Sequence, residues 1–220
     1  MQFEIRGELA QYVKLTLNDK DDCWASKGAL ISYSPGVNWS LKIPGGMGGA
    51  ARRLLSGESF TLTLIKSTAN NCQVTLAANQ PGRIIAWNLE DGPVVTTKGS
   101  FVAAFGPQIS IDVSVAKRAG AALFGGAGLF LQTVSGKGTA FIHGAGDFIE
   151  HQLEPDQSIL VSTGNLAGFS KQVDYSVQGV GGMRRMFFGG EGLFMTKLTG
   201  PGRVLLQSLK RVQVKQRANQ

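Results

Sequence analysis

Val94-Val95-Thr96-Thr97-Lys98-Gly99-Ser100-Phe101 decides how this chain is read, because the same pattern occurs twice more. It consists of an apolar stretch, a Ser or Thr, a glycine, one further residue and a large apolar residue. Cys23-Trp24-Ala25-Ser26-Lys27-Gly28-Ala29-Leu30 repeats it upstream, and Ile159-Leu160-Val161-Ser162-Thr163-Gly164-Asn165-Leu166 repeats it downstream. The three glycines are 71 and 65 residues apart. Each copy follows a leucine and an acidic turn, at Leu17-Asn18-Asp19, Leu89-Glu90-Asp91-Gly92 and Leu153-Glu154-Pro155-Asp156. A second mark follows in the same order, ending on Phe60, Phe130 and Phe194, which lie 32, 31 and 30 residues after the glycines. A spacing held this way is the mark of internal repetition. It predicts units over residues 3–74, 75–142 and 143–209, packed as one β domain over 3–209, with a basic tail over 210–220.

Within the units the strand pattern is direct. Phe60-Thr61-Leu62-Thr63-Leu64 and Ile109-Ser110-Ile111-Asp112-Val113-Ser114-Val115 alternate apolar and polar residues, and Val204–Leu209 does so less cleanly. A period of two buries one face of a strand and wets the other. Pro35-Gly36, Pro81-Gly82, Asp91-Gly92 and Pro201-Gly202 punctuate the runs as turns. The chain has 30 glycines in 220 residues, about twice the usual ~7%. The expected fold is all-β: three β-sandwich-like repeats in a pseudo-threefold arrangement, with few short helical turns.

Composition bounds the function. Hydrophobic residues make up 43% of the chain, and its net charge is +7. Lys210, Arg211, Lys215 and Arg217 carry four of those charges in the last eleven residues, which reads as a solvated end. Cys23 and Cys72 form no CxxC pair and read as buried thiols of a reducing compartment. The first residues lack the apolar core of a secretory signal, and no run approaches the ~18 apolar residues of a membrane span. A cytoplasmic location is expected.

Catalytic chemistry is sparse. His143 and His151 are the only histidines, fewer than a metal site requires. Residues 143, 147 and 151 share parity, so an unbroken strand would align them with one another, but Gly144 and Gly146 are expected to break it. There is no nucleophile elbow and no P-loop, and the Gly126-Ala127-Gly128 run reads as a turn. The chain is therefore expected to be no enzyme and to need no cofactor. Chemistry around His143 and His151 is kept as an alternative.

Three segments combine a basic pair with apolar residues just before the glycine-rich mark. They contain Arg52, Arg53, Leu54 and Leu55; Lys117, Arg118, Leu123 and Phe124; and Arg184, Arg185, Met186, Phe187 and Phe188. Ala, Arg, Leu and Met favour a short helical turn there, with the following glycine as its cap. In a pseudo-threefold body the three would share one end, giving a basic ring beside an apolar surface. Such a surface suits self-association or a protein partner. The alternatives are an anionic membrane surface and RNA, the last disfavoured because no strand interleaves basic and aromatic residues. The bland reading is that the apolar residues plug the ends of the units while the arginines snorkel outward. Trp24, Trp39 and Trp87 are expected in the core or between units.

The leucine–acidic-turn–Gly-Ala-Leu segment near the start, with the Arg184-Arg185 to Gly189-Gly190-Glu191-Gly192-Leu193-Phe194 segment, resembles the altered-inheritance-of-mitochondria protein 24 family over residues 3–210. The resemblance implies a β fold like that of the tryptophan RNA-binding attenuation protein and double-stranded β-helices, often assembled as homo-oligomers. It implies no catalytic or binding residues. Ser59 departs from the Gly-Leu of the other two units.

Overall fold

A computed structural model describes residues 2–44, 61–116, 129–179 and 194–211. The described chain is all-β. Its first seven strands are β1 (Gln2–Arg6), β2 (Tyr12–Leu17), β3 (Asp22–Ser26), β4 (Leu30–Tyr33), β5 (Val37–Lys42), β6 (Leu62–Ser67) and β7 (Cys72–Ala77). Six follow: β8 (Gly82–Asn88), β9 (Val94–Thr97), β10 (Phe101–Phe105), β11 (Ser110–Ala116), β12 (Leu129–Ser135) and β13 (Thr139–Ala145). The last six are β14 (Phe148–Leu153), β15 (Ser158–Ser162), β16 (Leu166–Ser170), β17 (Asp174–Gly179), β18 (Phe194–Thr199) and β19 (Gly202–Gln207). The helical content among the described residues is two 3-10 turns, Leu89–Asp91 and Thr163–Asn165.

The strands form four antiparallel sheets. Their orders are β1-β2-β7-β4, β5-β6-β3-β10-β13-β8, β11-β12-β9-β16-β19-β14 and β15-β18-β17. Three hydrophobic cores lie between successive sheets. The first gathers Val13, Leu15, Leu76, Ile65 and Phe141; the second Leu62, Trp87, Ile111, Ile142 and Leu205; the third Val95, Leu131, Phe169, Leu198 and Val204. The outer strand β2 alternates cleanly, with Val13, Leu15 and Leu17 inward. The inner strands β10 (FVAAF) and β13 (TAFIHGA) are buried at almost every position. A sheet covered on both faces demands such continuous apolar runs. Phe141 faces the first core, where it stacks on Phe105 at 5.6 Å and meets the edge of Phe3 at 5.0 Å, while its neighbours Ala140 and Ile142 face the second.

The pairing follows one order three times along the chain. β2, β8 and β14 pair with β7, β13 and β19; β3, β9 and β15 pair with β6, β12 and β18. β4, β10 and β16 pair with β7, β13 and β19, each with a register shift at its second residue, Ile31, Val102 or Ala167. Finally β5, β11 and β17 pair with β6, β12 and β18. Across these sets, β3 joins β10 and β9 joins β16.

Several details depart from the sequence reading. β7 and β13 run through residues 74–75 and 142–143, so the expected unit boundaries cut strands, because glycine marks locate turns rather than strand ends. Registry makes Thr61 the residue equivalent to Phe130 and Phe194, since Leu62, Leu131 and Met195 pair with Ser26, Thr97 and Ser162. Gly28 and Gly99 share a positive φ of 83° and 81°, whereas Gly164 lies in a 3-10 turn. Trp87 is buried and Trp24 packs beside it, but Trp39 is exposed on the edge strand β5.

Candidate functional site

The candidate surface from sequence lies outside the described residues: Arg52, Arg53, Leu54, Leu55, Lys117, Arg118, Leu123, Phe124, Arg184, Arg185, Met186, Phe187 and Phe188. The flanking strands are described. Residues 45–60 join β5 to β6, 117–128 join β11 to β12, and 180–193 join β17 to β18. Each of these antiparallel pairs sits at one side of its sheet, with β5, β11 or β17 outermost.

The two histidines are not brought together. β13 carries His143 and β14 carries His151, and these strands belong to different sheets. The break expected at the glycines falls at Gly146, which has φ +71° between the two strands. Asp147 pairs with Arg83 at 3.3 Å and Glu150 with Arg203 at 2.6 Å on the exposed surface. Arg203 also lies over the Trp87 ring at 5.2 Å. Among the described residues no three His, Cys, Asp or Glu side chains are grouped to hold a metal ion.

What surrounds His143 instead is a buried polar cluster that sequence reasoning missed. Its side chain is fully buried. Arg211 Nη2 donates toward His143 Nδ1 and the His143 carbonyl, both at 3.1 Å, and toward Gln207 Oε1 at 3.1 Å. Gln207 Oε1 also accepts from the Ala145 amide, and its Nε2 donates to the Gly164 carbonyl, both at 3.0 Å. Ser100 and Thr97 complete the group through a 3.1 Å hydroxyl contact. An arginine has no acceptor, so Nδ1 of His143 must accept and Nε2 must carry the proton. That nitrogen lies against Gly82, where a Cβ would stand 2.8 Å away. Burial, reinforced by the Arg211 charge and partly offset by the Gln80 backbone, lowers the His143 pKa to about 4. Burial lowers that of Arg211 to about 10. The imidazole is therefore neutral and the guanidinium charged at neutral pH. The cluster ties β13 and the Thr97–Ser100 turn to Gly164 and β19. Arg211, expected in a solvated tail, is part of the body.

The cysteines also lie in the body. Cys23 and Cys72 are free and buried, and burial pushes the Cys23 thiol far above its ordinary range, so it carries no nucleophilic character at neutral pH.

Large apolar side chains are exposed on several edge strands. β4 and β5 present Ile31, Tyr33, Trp39 and Leu41, and β15 presents Leu160. β4 is an edge strand of the first sheet, β5 of the second and β15 of the last.

The family model described as mitochondrial biogenesis AIM24 matches residues 3–209. The chain belongs to this AIM24 family. An uncharacterised protein of Streptococcus pyogenes serotype M6 is 27% identical over 219 residues, covering 95% of this chain and 86% of that relative. The crystal structure of protein SPYM3_0169 from Streptococcus pyogenes superimposes with a TM-score of 0.79 at 23% identity, over 95% of this chain and 94% of the other. That likeness shows that the AIM24 chain shares its fold. No helix among the described residues is long and apolar enough to cross a membrane.

Proposed function

We propose that this AIM24-family chain is a self-associating scaffold, built from three copies of one six-strand module, that works by binding rather than catalysis. The observation that carries the reading is the placement of exposed apolar side chains. Ile31 and Tyr33 lie exposed on β4, an edge strand of the first sheet, and Leu160 lies exposed on β15, an edge strand of the last. Apolar side chains left exposed on uncharged strand edges mark an interaction surface. The chemistry within the body points the same way. Its buried histidine is held neutral by burial and, after it, the Arg211 charge, and its buried Cys23 is held as a thiol. Neither is placed to exchange protons with a substrate. Light scattering on the full chain across a dilution series tests the proposal. The expected mass is a multiple of the 23.3 kDa chain; a mass of one chain at every concentration overturns it.

A further inference from the structure

We propose that β15 of one chain pairs antiparallel with β4 of a second copy, so that copies join head to tail through a continuous sheet. This inference rests on the self-association reading above and names its surface, register and polarity.

The chain already contains this junction twice. β3 pairs with β10 through Ala25↔Ala103, Trp24↔Ala104 and Cys23↔Phe105, and β9 pairs with β16 through Thr96↔Gly168, Val95↔Phe169 and Val94↔Ser170. Each junction fuses the end of one strand set to the start of the next and creates a six-stranded sheet. The third junction would need β15 and β4, which instead stand at the open edges of the three- and four-stranded sheets. The same register gives Val161 opposite Ser32, Leu160 opposite Tyr33 and Ile159 opposite Ser34.

Three observations support a second copy as the occupant. The first is burial. Val102 and Ala167 are 1% and 0% exposed, whereas Ile31 at the matching bulge position is 62% exposed. Val95 is 3% exposed, whereas Leu160 at the matching position is 59% exposed. Both end residues are apolar, as burial at a junction demands. The second is edge chemistry. Natural sheets guard their edges with charge, and the other six edge strands do so. β1 carries Glu4 and Arg6, β5 Lys42, β8 Arg83, β11 Asp112, β14 Glu150 and β17 Asp174. β4 (LISY) and β15 (SILVS) carry none. The third is a shared hydrogen bond. Ser26 Oγ donates to the Phe101 carbonyl at 2.5 Å, and Thr97 Oγ1 donates to the Leu166 carbonyl at 2.7 Å. Ser162 keeps a hydroxyl at this place, and the matching acceptor is the Leu30 carbonyl of the second copy.

The junction is heterologous: the two surfaces differ, so growth closes into a ring or continues as a filament. Two end-blocked variants test it. Ile31→Asp spoils the β4 end and Leu160→Asp spoils the β15 end, each at an exposed site where the β fold of the single chain is expected to be kept, as circular dichroism checks. The wild-type chain is expected to assemble beyond one chain by light scattering, and each variant alone to run as a monomer. Mixed in equal amounts, the two are expected to form a dimer that grows no further, because each supplies the end the other lacks. Assemblies that persist in both variants, or variants that stay monomeric when mixed, overturn the junction while leaving self-association standing. A wild-type chain that is monomeric throughout overturns both.

Discussion

Acid should loosen this protein through His143. The folded pKa is about 4 against 6.5 for a free imidazole, so between those values the unfolded chain binds a proton that the folded chain refuses. Stability then falls as the pH drops from about 6.5 to about 4, and this contribution levels off below that. A difference of roughly 2.5 units at about 1.36 kcal/mol each sets a ceiling of about 3 kcal/mol. The structural cause is first the burial of the ring and then Arg211: Nδ1 receives the guanidinium at 3.1 Å, and a charged imidazole could not accept it. The assay is urea unfolding at a series of pH values on the wild type and on His143→Gln, which keeps an acceptor but does not titrate. The variant should be less stable at neutral pH, yet its stability should depend less on pH between 6.5 and 4. Every other ionisable group is common to both chains and cancels in the comparison. If the two curves run parallel across this window, His143 is not the acid-sensitive group and the assigned cluster is wrong.

Other outcomes follow from the packing. Phe141→Ala removes a fully buried ring that touches Phe3 and Phe105 and should cost about 3–5 kcal/mol by urea unfolding. Gly82→Ala should cost about 2–4 kcal/mol. Its Cβ would stand 2.0 Å from the Gly144 carbonyl at a φ of +153°, and the same measurement checks it. Cys23 and Cys72 should resist a thiol reagent in the native chain and react fully in denaturant, because both are buried; fast labelling without denaturant would contradict the described core.

The β class was legible because β11 must alternate to wet one face, and because turns demanded glycine at places such as Gly28 and Gly99. The depth of the stack was not. β10 and β13 bury both faces, so their continuous apolar runs carry no period from which to count layers. The buried cluster was hidden for a different reason. Arg211 sits among basic residues that local composition assigns to solvent, and only the three-dimensional return of the chain past β19 brings it to His143. The arginine-bearing segments at 52–53, 117–118 and 184–185 fall outside the described residues, so the described candidate surface is the edges of β4 and β15 instead. Their uncharged sequences were in plain view, but being outermost is a property of strand order, which residue type does not encode.

The sheet β5-β6-β3-β10-β13-β8 takes three strands from before residue 78 and three from after residue 81. Severing the chain in that interval would therefore split a sheet down its middle rather than release two finished bodies. Each fragment would show the other a bare hydrogen-bonding margin, and the pieces should find one another again in solution, as split proteins do when the cut passes through shared architecture.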